Sequence, residues 1–349
     1  MFGSASHLHC CRRLAAIASL AIFAGLAVDG SAPLRAQDAP TLTLYSGQHE
    51  QSVNLLIADF QKRTGIAVKV KAGEGPEIAN QVAEEGASSP ADVYFTENSP
   101  ELQLLSEKGL LAPVDAKTLA EIPSQYDSPK SDWVGVLARE NVLAYNTAVV
   151  KPGQLPKSIM DLAGPAYKGK IGIAPSDADF PPLVSAVAAL KGKAAALAWL
   201  KGLEENAQTF DDDEGVVAAV DRGGVAIGII NNYYWARLQE EVGKGKMHSA
   251  LYHFPNDDVG AVVNVSGAAV LKSSAHGEAA QKFLAYLVSE PAQTLLAQGN
   301  INFEYPLRPG VPANPVLKPF NELKPPQISI SALGDDSGAA DLLREAGLL

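Results

Sequence analysis

From Thr41 onward, short apolar runs alternate with amphipathic stretches, and that alternation constrains this chain more than any single motif. Thr41–Tyr45 reads as a strand. Val53, Leu56, Ile57 and Phe60 then recur at i, i+3, i+4 and i+7, one face of a helix that Gly65 ends. Ile66–Val70 predicts the next strand, Ile78–Glu85 a helix, and Asp92–Phe95 a strand. Ser99 and Pro100 supply the cap and first turn of a helix reaching Lys108. Strand and helix in this order predict a parallel sheet with helices on both faces. The pattern resumes with strands at Lys170–Ala174, Val225–Ile230 and Gly260–Leu271. Helices are predicted at Ala194–Leu203, Val216–Val220, Tyr234–Val242, Gly277–Val288 and Pro291–Gln298. A chain of 349 residues with 47% hydrophobic content is long enough for two cores. Two α/β units fit better than one, and Val136–Tyr145 and Ala261–Val270 are apolar enough to be buried strands crossing between them. Two crossing strands make a hinge.

The first 36 residues stand apart. Arg12 and Arg13 precede an apolar run from Leu14 to Val28, and small residues follow up to Ala36. That layout predicts a secretory signal peptide cleaved near Ala36 and too short to be a comfortable membrane span. Cys10 and Cys11, the two cysteines of the chain, both lie before the apolar run. The mature chain is therefore expected to be soluble, without a lipid anchor, a disulfide, a thiolate metal site or a cysteine nucleophile. An exported chain without disulfides must rest on its cores. The whole sequence has 28 Lys+Arg against 39 Asp+Glu; removing Arg12, Arg13, Arg35 and Asp29 leaves 25 against 38, a net charge of −13. Such a surface repels nucleic acid and anionic membrane and is compatible with a cationic cargo.

Ligands of open α/β sheets sit beyond the carboxyl ends of strands, and three predicted strand ends carry unusual residues. The first runs into Ser46-Gly47-Gln48-His49, the third into Thr96-Glu97-Asn98, and the strand ending at Ile230 into Asn231-Asn232-Tyr233-Tyr234-Trp235. Carboxylate and phenolate oxygens are hard donors suited to a small, highly charged cation, and a neutral imidazole adds to them without adding charge. An ordinary phenol has a pKa near 10, so only a strong Lewis acid such as Fe(III) displaces its proton near neutrality. Zinc and calcium do not normally choose two tyrosines. Each residue alone reads more readily as a cap, a solvated loop carboxylate or a packed aromatic; their shared placement at strand ends shifts the reading toward a site.

These residues carry a resemblance. Tyr45-Ser46-Gly47-Gln48-His49, Pro90 to Glu97, Lys168 to Gly172, Ile230 to Trp235, Ser266 to Val270 and Glu304 to Arg308 are similar to the ferric-ion-binding periplasmic proteins of iron ABC transporters. The likeness spans essentially the whole mature chain. It implies an α/β, two-lobed periplasmic-binding-protein fold of type II with two hinge-crossing strands. Residues 37–138 with about 264–314 would form the first lobe, and about 139–263 with 315–349 the second. It implies Fe(III) as cargo, with His49 and Glu97 as ligands from the first lobe and Tyr233 and Tyr234 from the second. It further implies a periplasmic monomer that serves an ABC permease and neither inserts into the membrane nor binds nucleic acid.

In such relatives a bound anion completes the coordination. Asn231 matches a position near that anion, and Arg139 is a plausible helper. The family's Ser-Gly-Ala stretch falls here on Asp177-Ala178-Asp179, and its other Asn on Asp213. Glu97, Tyr233 and Tyr234, when ionised, already cancel three positive charges. Like charges a few ångströms apart oppose one another by roughly 1–4 kcal/mol at effective dielectrics of 80 down to 20. Phosphate is thus expected to be disfavoured, leaving water, a smaller anion near Arg139, or one of the aspartates; Asp179, just before Phe180-Pro181-Pro182, equally reads as a helix cap. A binder of phosphonate, sugar phosphate or polyamine is the alternative cargo reading, and the Asp-rich loop argues against phosphorylated solutes. A non-haem iron hydrolase would need an activated water and a general acid or base. After His49 the mature chain offers only His248, His253 and His276, none in ligand-like spacing, and no nucleophile elbow, phosphate loop or dinucleotide fingerprint occurs.

Overall fold

The computed structural model describes residues 40–349; the expected signal peptide, with Cys10, Cys11 and the cleavage point, lies outside the described residues. The chain opens with β1 (Thr41–Gly47), α1 (Glu50–Thr64), β2 (Ala67–Ala72), α2 (Gly75–Glu85), β3 (Val93–Thr96), α3 (Ser99–Glu107) and the short α4 (Ala116–Leu119). A long strand, β4 (Val134–Asn146), leads to β5 (Ile171–Ile173), α5 (Phe180–Lys191), α6 (Lys193–Asn206), β6 (Ala207–Thr209), α7 (Asp213–Asp221), β7 (Ile227–Asn231) and α8 (Asn232–Val242). The remainder is β8 (Ser249–Tyr252), β9 (Val263–Val270), α9 (Gly277–Leu287), α10 (Glu290–Gln298), β10 (Tyr305–Pro306) and α11 (Ser337–Ala346). The first helix shows why the sequence reads so directly. Its periodic residues Val53, Leu56, Ile57 and Phe60 are buried, and Gly65 stops it in a left-handed conformation (φ 74°) with its N–H on the Gln61 carbonyl.

The sheet is mixed rather than parallel throughout, which corrects the expectation. Its order is β2-β1-β3-β9-β4-β7-β5-β6, with β10 and β8 also paired to β4. β1 runs parallel to β2 and β3, and β5 parallel to β6 and β7. Between these runs β9 is antiparallel to β3 and β4, and β4 antiparallel to β7. The physical reason is length: at 13 residues β4 is long enough to serve two sheets. Its first half, Val134–Glu140, pairs with β9, and Asn141–Tyr145 pairs with β7.

Two hydrophobic cores result. One gathers Leu42, Leu44, Phe60, Tyr94, Phe283 and Leu284 and extends along β4 to Val220, Ile230 and Tyr233. The other holds Leu143, Ile171, Ile173, Phe180, Trp199 and Leu343. Fully burying one such side chain contributes about 1.5–3 kcal/mol, so each core stands without covalent staples. Besides β4, the chain passes from the second core to the first between Val262 and Val263, at the entrance to β9, which is shorter than its predicted strand because Val259–Ala261 forms a 3₁₀ turn. A third passage was not foreseen. Leu317, Leu323 and Ile330 pack in the first core, while Leu333, Leu342 and Leu343 pack in the second. The tail therefore touches both cores between Leu317 and Leu333, with Ile328 already packed against the second. Among the described residues no helix is long and apolar enough to cross a membrane.

Near the start of β4, the Gly135 N–H donates to Asp127 Oδ1 at 3.0 Å, and burial raises the Asp127 carboxyl to about 6 against that hydrogen bond. A carboxyl raised in the folded state stabilises most when protonated, and that contribution fades as pH climbs from about 4 to 6. Asp127→Asn keeps the acceptor and removes the charge. It is expected to add about 1 kcal/mol at pH 7, after allowance for solvent screening, and nothing at pH 4, read by urea unfolding at both values.

Candidate metal centre

Four chain segments converge at strand ends. His49 occupies the position just before α1, where its side chain makes no cap bond and its N–H donates instead to Gln48 Oε1 at 2.7 Å. Glu97 follows β3. Tyr233 and Tyr234 lie in the first turn of α8 and not in the preceding loop. Asp179 precedes α5, and it too makes no cap bond, so the capping reading of that residue does not hold. The glycines around this junction permit close approach: a Cβ on Gly47 would stand 2.4 Å from Gly75 Cα.

The expected quartet comes together, with partners. His49 Nδ1 is 2.8 Å from Glu97 Oε1, and His49 Nε2 is buried without a hydrogen-bond partner. The imidazole meets the Tyr233 ring edge-on at 5.2 Å, and the two phenol rings lie 4.1 Å apart. Arg237, one turn along α8, places its guanidinium 4.6 Å over the Tyr233 ring. Burial lowers the His49 imidazole to about 4, with Arg237 adding to the effect, so it is neutral and available as a nitrogen donor. Burial, then the nearby Asp179 charge, raises Glu97 to about 8 and pushes both phenols well above their ordinary range. The site is thus a set of hard donors held in protonated form, which only a strongly charged cation would displace. Among the described residues no group of three or more His, Cys, Asp and Glu side chains is placed to hold a metal ion by itself.

The accessory residues behave differently from expectation. Arg139 does not stand open to an anion. It is the buried hub of the site: Nε donates to Asp179 Oδ1 at 3.1 Å, Nη1 donates to the Glu97 carbonyl and lies 3.5 Å from Glu304 Oε1, and Nη2 donates to Asn98 Oδ1. Asp177 and Asp213 serve backbone amides. Asp177 accepts from the N–H groups of Asp179 and Asp213, both at 3.0 Å, and Asp213 accepts from the Asn231 N–H at 3.1 Å. Nor do they count as three anions. Burial and mutual repulsion raise Asp177 to about 7 and Asp213 well above its usual range. Burial would raise Asp179 as well, but Arg139 and hydrogen bonds from Tyr233 and Asn231 hold it below the ordinary carboxylate range. Sequence reasoning also missed Glu101, a buried carboxyl that accepts from Tyr94 at 3.0 Å and from Thr96, and Asn264, which donates to Asn98 at 2.7 Å. Their signal was polarity inside apolar runs.

Beside this cluster opens a cleft of about 720 Å³. Eight carboxylic side chains line it, among them Glu50, Glu74, Asp211 and Glu214, together with His49 and Tyr234; no lysine or arginine does. Residues 56–325 match the bacterial extracellular solute-binding proteins. The chain belongs to that family. This solute-binding protein is 40% identical over 308 residues to the Fe(3+)-binding periplasmic protein of Serratia marcescens, which covers 88% of this chain and 90% of that one. It is 38% identical over 309 residues to the major ferric iron-binding protein of Neisseria meningitidis serogroup B, covering 88% and 93%. Its fold superposes on iron-bound HitA from Pseudomonas aeruginosa with a TM-score of 0.84 and 45% identity, across 88% of this chain and 99% of that one. The α/β, two-lobed solute-binding architecture is therefore that of this protein, and its relatives place it among the periplasmic ferric-ion-binding proteins.

Proposed function

We propose that this protein captures ferric iron in the periplasm and delivers it to an ABC permease, with His49, Glu97, Tyr233 and Tyr234 as ligands. The observation that carries the reading is the donor set itself: one partnerless buried imidazole nitrogen, one carboxyl and two adjacent phenols at the edge of a cleft lined by eight carboxylic side chains and no lysine or arginine. Phosphorylated solutes are favoured by basic side chains, and no lysine or arginine lines this cleft. His49 and Glu97 follow strands of one sheet, and the tyrosines follow β7 of the other, so a bound ion ties the two together. Binding energy then favours the closed form over the open one. Delivery to the permease follows reopening, as a monomer exported under its N-terminal signal and cleaved near Ala36.

Ferric loading tests the reading directly. Phenolate-to-Fe(III) charge transfer is expected to turn the purified protein orange to purple at one ion per chain, with a smaller radius of gyration in small-angle scattering. A protein that stays colourless after loading and removal of free iron defeats the proposal.

A further inference from the structure

Away from the metal centre, the point where β4 passes from one sheet to the other carries a second buried polar cluster. Glu140 is the last residue of β4 to pair with β9, and Asn141 is the first to pair with β7. Successive side chains of a strand point to opposite faces. On one face Arg139 reaches Glu304 and the Glu97 carbonyl. On the other, Glu140 Oε2 lies 2.5 Å from Nδ1 of His253, just beyond β8, with the carboxylate 1% and the imidazole 19% exposed. The Glu140 N–H donates to Asn232 Oδ1, in α8, at 2.8 Å. Carboxylate and amide are therefore both committed to the side of β7 and β8.

Two atoms beside this contact have no partner. Glu140 Oε1 and the Tyr305 hydroxyl are each buried without a hydrogen bond. Tyr305 belongs to β10, which pairs with the first half of β4, and it stands opposite Ala138. Its side chain shares a face with Glu140, two residues on, along a diagonal that aromatic and long side chains can span. Burial, then the Glu140 charge, raises the Tyr305 phenol above its ordinary range, so the hydroxyl keeps a proton to donate. Buried polar groups are as a rule satisfied, and an unpaired one is costly. Here a donor and an acceptor are left unpaired on one face, on either side of the point where β4 changes sheets. The structure holds the shut form of the cleft, in which the His49 ring meets the Tyr233 ring at 5.2 Å.

We propose that Glu140 is a two-position acceptor in the hinge, held by His253 when the cleft is shut and joined at Oε1 by the Tyr305 hydroxyl when it opens. Rotation of the sheets about residues 139–141 exchanges the two arrangements. The unpaired hydroxyl then opposes closure and the imidazole favours it, so the pair sets how readily the cleft shuts and reopens. The proposal rests on closure around the ion as read above, but the hinge is measured without iron.

Spin-label distances in the iron-free protein test it. No cysteine occurs among the described residues, so a label pair is placed at exposed Glu84 in α2 and exposed Lys193 in α6, one on each side of the hinge. Tyr305→Phe removes the hydroxyl that the open form uses while keeping the ring. The ratio of open to shut molecules is expected to fall about tenfold, the scale of one buried hydrogen bond. His253→Ala removes the shut-form partner, and the ratio is expected to rise by a similar factor. Ferric affinity against a competing chelator is expected to follow, tighter in Tyr305→Phe and weaker in His253→Ala. Packing alone would move the urea midpoint and leave the ratio unchanged. A ratio unchanged in Tyr305→Phe, as an ordered water bridging the two atoms in both forms would give, overturns the proposal. So does a shift in the same direction in both variants. If no form of the protein binds iron, the ferric reading fails while the label distances still decide the hinge. If His253→Ala fails to fold, Tyr305→Phe, which deletes one oxygen, decides by itself.

Discussion

Tyr233→Phe and Tyr234→Phe are each expected to weaken ferric binding by about a thousandfold or more and to abolish or strongly reduce the visible band. Either change deletes one anionic donor while hardly altering side-chain volume, so the loss comes from coordination and not from packing. Groups that merely support a ligand cost about tenfold to hundredfold when removed, and a ligand must cost more. The two variants separate in the absence of iron. The Tyr233 hydroxyl donates to Asp179 Oδ2, and its removal strands a buried carboxylate oxygen at a cost of about 1–3 kcal/mol. The Tyr234 side chain lines the cleft, and Tyr234→Phe is expected to leave the unfolding midpoint nearly unchanged. Chelator competition and urea unfolding on both variants give the comparison. Aromatic packing alone would produce the opposite pattern, a small stability change with iron binding intact.

The quartet was legible because each member follows a strand whose apolar character is continuous. Asp92–Phe95 becomes β3 and delivers Glu97; Val225–Ile230 becomes β7 and delivers the tyrosines. The centre of the sheet was less legible. Antiparallel pairing of β9 with β3 and β4 depends on contacts more than 120 residues apart, which no local pattern encodes. α5 was signalled only by the capping reading of Asp179, because Phe180 to Leu190 is almost uniformly apolar in sequence and offers no 3.6-residue contrast. The partners of Asp179 were harder to read, although the Asp-rich loop had marked it as an accessory residue. Its position before Phe180-Pro181-Pro182 matches a helix cap, and the arginine that redirects it is 40 residues away in β4. Composition signalled acidity correctly, but it could not say which aspartates remain charged. Burial raises Asp177 and Asp213 while Arg139 holds Asp179 down.

Arg139→Leu is expected to destabilise the iron-free protein by about 3–5 kcal/mol, the scale for removing one partner of a buried ion pair. The side chain is 1% exposed and its guanidinium serves acceptors from both sheets: Glu97 and Asn98 after β3, Asp179 after β5, and Glu304 before β10. Without it, the Asp179 and Glu304 carboxylates face each other's field in a buried pocket, and the least costly response is to take up protons. The Tyr233 hydroxyl would then lose its charged acceptor, so iron affinity is expected to fall together with stability. Arg139→Lys should recover little, because one ammonium cannot span four acceptors in different directions. The double variant Arg139→Leu with Asp179→Asn separates the two effects. It removes a charge from each side of the pair, and most of the lost stability should return. Iron affinity should not return in full, because the carboxylate that orients the Tyr233 hydroxyl has gone. Urea unfolding reads the first quantity and chelator competition the second; a double variant no more stable than Arg139→Leu alone would show that the hub holds the fold through Glu304 or the backbone carbonyl instead.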